Sequence, residues 1–112
     1  MNTVRPMLTL RWKSLRWQVP AEEIRYIDSY GRHVTVHTAG QSYEVVGKLS
    51  EFADQLPKDR FVRTHQSYLV NMSYIGCFLR DSVVLFDRTV IPLSARKRTA
   101  ALRRYDAWLS QK

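Results

Sequence analysis

The sequence predicts a mainly β fold of small antiparallel sheets, with one short internal helix and one closing helix. Apolar and polar residues alternate with a period of two along most of the chain. Turn-forming residues interrupt that alternation at short intervals. Apolar residues fall at helical spacing in only two places, over 48–56 and after Ser94. Hydrophobic residues make up 45% of the 112 and are spread from end to end, which suits one domain with its own core over 1–112.

Leu8–Trp12 alternates, and after Lys13-Ser14 so does Leu15–Val19, so 1–19 reads as an N-terminal hairpin. Pro20 ends it because proline offers no ladder donor. A strand over Ile24–Ser29 leads through Tyr30-Gly31-Arg32 into His33–His37, with Val34 and Val36 on one face and the two histidines on the other. Ala39-Gly40 marks a turn, and Gln41–Val46 resumes with Tyr43 and Val45 on one face. Leu49, Phe52, Ala53 and Leu56 then predict a short amphipathic helix that Pro57 closes.

From Phe61 the chain is extended again, over Phe61–Arg63, Tyr68–Asn71, Tyr74–Arg80 and Ser82–Phe86. Asp81-Ser82 and Asp87-Arg88 supply turns. Val90–Leu93 is a last short strand whose proline suits an edge or a strand end. Ser94 is placed to cap a basic C-terminal helix over 94–112. Its apolar stripe is read as Ala95, Leu102, Tyr105 and Leu109, and its basic face as Arg96, Lys97, Arg98, Arg103 and Arg104.

Eighteen Lys and Arg against ten Asp and Glu give a net charge of +8, which points to a polyanionic partner. Charge alone does not choose among DNA, RNA and an anionic membrane. The lone Cys77 cannot form an internal disulfide and fits a reducing compartment, the cytoplasm. Apolar runs such as Val83–Phe86 fall far short of the roughly 20 residues a bilayer needs. Met1–Pro6 lacks the apolar stretch of a signal peptide, so no membrane partner is expected.

The segment Phe61-Val62-Arg63-Thr64-His65-Gln66-Ser67-Tyr68-Leu69-Val70-Asn71 resembles the signature of the LytTR family of DNA-binding domains. In words, that signature runs phenylalanine, aliphatic, arginine, any residue, histidine, any residue, serine, aromatic, aliphatic, valine, asparagine. Glu23–Ser29, Leu49–Leu56 and Ile91–Arg96 follow the family's order around it, and the resemblance is best over 20–98. It implies an elongated arrangement of small sheets that inserts loops into successive major grooves of double-stranded DNA. It also implies bacterial transcription regulation as the output domain of a response regulator in a two-component system. Two copies on paired direct or inverted repeats, a homodimer on DNA, and a receiver or other signalling partner outside these residues follow from it as well.

Carried over residue by residue, the resemblance places base contacts at or next to Arg32, at Gln66 and at Arg96. Phosphate contacts fall to Tyr30, His33, Arg63, His65, Ser67, Ser94, Lys97 and Arg98. Family members often carry a basic residue or an amide where Gln66 stands. An amide reads the adenine edge, whereas arginine favours guanine, so target preference follows this position.

The residues themselves leave alternatives open. Arg32 follows a glycine that permits a projecting turn, and its five donors suit phosphate or guanine, yet a solvated turn arginine has the same sequence. Arg63, His65 and Ser67 alternate, so an extended strand would gather them on one face, while His65 could equally bond within the fold. Gln66 would point the opposite way there, so a base-reading role requires an irregular loop. Arg96, Lys97 and Arg98 stand where the helix dipole disfavours cations, which makes sense beside a phosphate, although a basic run is often only a solvated face. Trp12, Trp17 and Trp108 are read as core packing rather than base-stacking platforms. Tyr68, Val70 and Asn71 are read as scaffold.

No catalytic residue, metal site or cofactor is expected. His33 and His37 would stand about 13 Å apart on one strand, and Cys77 has no CxxC partner. A grouping of Asp28, Ser29 and His33 would lack a buried, oriented base. The competing function is a small RNA-binding or ribosome-associated β domain, which leaves the signature unexplained. A protein-interaction domain with a membrane-facing basic surface is a third.

Overall fold

The computed structural model describes residues 5–111, so most of the Met1–Pro6 segment and the last residue of the 94–112 helix lie outside it. The chain runs β1 (Met7–Trp12), β2 (Leu15–Pro20), β3 (Ile24–Tyr30), β4 (His33–Thr38), β5 (Ser42–Val46) and α1 (Leu49–Gln55). It continues through β6 (Phe61–His65), β7 (Tyr68–Asn71), β8 (Ile75–Phe78), β9 (Ser82–Leu85), β10 (Val90–Pro92) and α2 (Ala95–Ser110). Single 3-10 turns at Ala21–Glu23 and Met72–Tyr74 enter β3 and β8.

Antiparallel pairing builds a hairpin β1-β2, a five-stranded sheet in the order β5-β4-β3-β7-β6, and a three-stranded sheet β10-β9-β8. Two cores flank the five-stranded sheet. Leu8, Leu10 and Val19 of the hairpin and Leu49, Phe52 and Leu56 of the α1 segment pack with Ile27, Val34, Val36, Phe61 and Leu69. In the second core, Val62 and Val70 meet Ile75, Val83, Leu85, Ile91 and Ala101. Adjacent residues of β6 and β7 thus enter opposite cores, because strand side chains alternate between faces. Three of the predicted helical positions, Leu49, Phe52 and Leu56, are buried, and Ala53 packs beside them.

Asn71 ties the strands together. Fully buried, it donates from Nδ2 to the Ile24 carbonyl at 2.9 Å, and its Oδ1 accepts from the Ser73 N–H at 3.0 Å and the Ser73 hydroxyl at 2.8 Å. Its reading as scaffold is borne out. At the same end of β3, Arg25 donates to the Thr38 carbonyl at 2.7 Å and pairs with Asp87. Asp87 also accepts from the Thr89 N–H at 3.0 Å, and these interactions, the Thr89 bond foremost, hold its carboxyl below the usual range.

Several expectations are corrected. Strand β8 ends at Phe78 rather than Arg80, and Phe86 leaves β9 to stand 74% exposed. The buried face of α2 does not run through Leu102 and Leu109, both exposed. It runs through Ala101, Tyr105 and Trp108, with Tyr105 stacked on Phe78 at 5.3 Å. Tyr105 and Trp108 are partly buried against the second core, while Leu102, next to Ala101, and Leu109, next to Trp108, are exposed. Trp17 and Trp108 pack against the two cores, but Trp12 is 40% exposed at the hairpin tip. Asp28, already rejected as part of a catalytic group with Ser29 and His33, sits beside His37. Its Oδ2 lies 3.3 Å from His37 Nε2, Ser42 Oγ lies 3.1 Å from His37 Nδ1, and Tyr26 stacks on that ring at 4.1 Å, a row that fastens β3, β4 and β5 on the wetter sheet face.

Candidate nucleic-acid interface

Three loops form the site, and local chemistry shapes each. Gly31 adopts φ +62°, a left-handed conformation that glycine accepts without a Cβ penalty, so Tyr30-Gly31-Arg32 turns tightly between β3 and β4. Tyr30 is 89% exposed, and Arg32 and His33 also face solvent. His33 Nδ1 lies 3.3 Å from Glu44, a partner that competes with phosphate.

The second loop corrects the expected alternation of Arg63, His65 and Ser67. The chain does not stay extended through 67, because Gln66-Ser67 is a tight turn and the β6-β7 register slips between Arg63 and His65. That irregularity is what a projecting Gln66 requires, and Gln66 is exposed. Its neighbours hold the turn from inside: Arg63 Nη2 donates to the Gln66 carbonyl at 2.7 Å and the Ser67 N–H donates to His65 Nδ1 at 3.0 Å. The internal role left open for His65 is therefore present. Burial pulls the Arg63 guanidinium below its usual pKa, and its Nε has no partner. Arg63 remains a cation at any working pH.

The third loop is the start of α2. Ser94 Oγ accepts from the Lys97 N–H at 3.3 Å, the expected cap, and the Ser94 N–H donates to the Thr64 carbonyl at 2.8 Å, which pins the helix to β6. Arg96 is exposed and Lys97 half-buried. Arg98 is occupied elsewhere: its Nε donates to the Arg80 carbonyl at 2.7 Å and its Nη2 pairs with Asp81 at 3.1 Å.

The loops converge. The Ser29 N–H donates to the Ser67 carbonyl at 3.0 Å, joining the first loop to the second. Gln66 then stands as a ridge between two grooves. One, of about 390 Å³, is lined by Tyr30, Gly31, Lys48, Ser50, Arg63 and Ser67 among others. The second, of about 580 Å³, is lined by Arg63, His65, Gln66, Ser94, Arg96 and Lys97. Sequence reasoning missed the Gly47–Ser50 segment. The Gly47 N–H donates to the Arg32 carbonyl at 3.0 Å and carries Lys48 to the groove wall. A glycine followed by a lysine at a helix start was the available signal.

A profile of the LytTr DNA-binding domain family matches residues 15–105, most of the chain. The chain belongs to the LytTR family. Among curated proteins, this LytTR domain is 25% identical over 71 residues to the transcriptional regulatory protein NatR of Bacillus subtilis strain 168, covering 63% of this chain and 30% of that protein. It is 37% identical over 57 residues to the sensory transduction protein LytT of the same organism, covering 51% of this chain and 24% of that protein. The domain thus spans less than a third of either relative. A solved LytTr DNA-binding domain from Bacillus cereus superposes with TM-score 0.72 at 22% identity, over 95% of this chain and 98% of that one, and shows the same fold. The family is one of DNA-binding domains. No helix among the described residues is long and apolar enough to cross a membrane, and no cluster of metal-ligating side chains occurs among them.

Proposed function

We propose that this LytTR domain binds double-stranded DNA sequence-specifically to control transcription. The observation that carries the reading is the Gln66 ridge, set between two grooves whose far walls are the Tyr30-Gly31 turn and the Arg96-Lys97 helix start. Gln66, Arg32 and Arg96 are the exposed polar side chains for base edges, and adenine is the base an amide reads bidentately. Lys97 and Lys48 flank them as phosphate partners, with Tyr30, His33 and Ser94 at the groove margins. Arg63 Nη2 and His65 Nδ1 brace the ridge through the Gln66 carbonyl and the Ser67 N–H, while the Ser67 hydroxyl is left for a phosphate. Arg98 contributes by fixing the helix start rather than by taking a phosphate. Entry of the loops into successive major grooves is what the family resemblance implies; the molecule measures 42 Å along each of two axes, against about 34 Å for one turn of duplex.

Selection of bound duplexes from a random pool at near-physiological salt tests this reading. A recovered motif, read as paired repeats about one helical turn apart, and strong preference over scrambled DNA are expected. Binding that follows salt with no sequence preference would overturn it.

A further inference from the structure

Arg11, Lys13 and Arg16 crowd the tip of the β1-β2 hairpin, and the three loops above make no use of them. Arg11 pairs directly with Arg16 in the strand register, an arrangement that like-charge repulsion disfavours. None of the three cations forms an ion pair among the described residues. Leu8, Leu10, Trp17 and Val19 anchor the hairpin to its core, and among the described residues no acid balances the charge of the three cations beyond them.

The tip is also held in shape. Lys13 has φ +56°, and Arg16 Nη1 donates to the Lys13 and Leu15 carbonyls, both at 2.8 Å. Lys13 Nζ lies 5.7 Å from the centre of the Trp12 ring. Trp12 lines a groove with His33, Glu44 and Val45, so the tip stands beside the first DNA-facing loop. Glu44, the acid at that groove, is paired with His33.

We propose that the hairpin tip is an additional DNA-contacting element, in which Arg11, Lys13 and Arg16 take backbone phosphates of the duplex flanking the sequence read by the other loops. The inference rests on the DNA-binding reading above and adds an accessory, sequence-independent contact to it. Flanking phosphates need only cations held in register along the duplex, and base recognition stays with the loops.

The test compares two duplexes built on the selected motif, one trimmed to it and one extended by about ten base pairs on each side. The full chain is measured against Lys13→Asn and an Arg11→Gln/Arg16→Gln double variant over a salt series. Asparagine tolerates the left-handed backbone at position 13, and glutamine preserves much of the arginine stem. The wild type is expected to bind the extended duplex about three- to tenfold more tightly than the trimmed one. Both variants should match the wild type on the trimmed duplex, which also reports folding, and lose that gain on the extended one. The slope of log affinity against log salt should fall by about one for each phosphate contact removed.

Equal binding of the two duplexes by the wild type, or retention of the gain by both variants, would overturn the hairpin role and leave sequence-specific binding intact. Loss of any motif preference in the wild type would overturn both. Vesicles of phosphatidylserine and phosphatidylcholine supply the remaining arm: tip-dependent capture by them, with no duplex-length effect, would assign the tip to a membrane surface instead.

Discussion

At the residue scale, Gln66 and Arg63 divide the work of one turn, the first projecting and the second holding its carbonyl at 2.7 Å. Gln66→Ala is expected to cost about 1–3 kcal/mol for the selected site while barely changing scrambled DNA, read by competition binding. Arg96→Ala should do the same at its own base, whereas Lys97→Ala should weaken all duplexes alike. Asp87 gives a pH prediction. Its carboxyl is held below the usual range by the Thr89 N–H and Arg25, so the stability it supplies is present above the unfolded aspartate pKa and is lost as pH falls through the lower folded one. Asp87→Asn should therefore lower stability at neutral pH by no more than about 1 kcal/mol, given a side chain 34% exposed, and flatten the acid limb of denaturation curves. A steeper acid limb in the variant would contradict this account.

At the element scale, the chain's strands and both helices were legible because period-two and helical patterns are local properties of the sequence. The orientation of α2 was not. Its sequence offers two apolar sets, and the one that packs is Ala101, Tyr105 and Trp108, because these face the second core once Ser94 is fixed to Thr64. Trp108→Ala should cost about 2–4 kcal/mol in chemical denaturation, while Leu102→Ala and Leu109→Ala should each stay below about 1 kcal/mol. Comparable losses at all three would mean that the helix sits otherwise. Gly47 sits just before α1, against the Phe52 ring. A Cβ at that position would come within 3.0 Å of the Phe52 ring. Because Phe52 is buried, Gly47→Ala should destabilise by about 1–3 kcal/mol through overpacking and also displace Lys48 from the groove wall.

At the scale of the whole molecule, two cores share one sheet. Phe61 and Leu69 enter one while Val62 and Val70 enter the other, so neither core can come apart without disturbing β6 and β7. Trp17 reports the first core and Trp108 the second. In variants retaining one or the other tryptophan, urea midpoints should coincide after correction for the substitution, as two-state unfolding requires. Separate midpoints would show two independently folding units. By itself, the sequence determined the mainly β class, the order of elements, the family signature and the cationic character, since each is carried by residue type and short-range spacing. Tertiary structure alone decided that Arg98 is taken by Asp81, that Trp12 lies open beside His33, and that Arg63, His65 and Ser67 brace Gln66 rather than line one strand face. Those outcomes depend on strand register and on contacts between elements distant in sequence, and a local pattern of side chains does not encode the partner it will meet across a sheet.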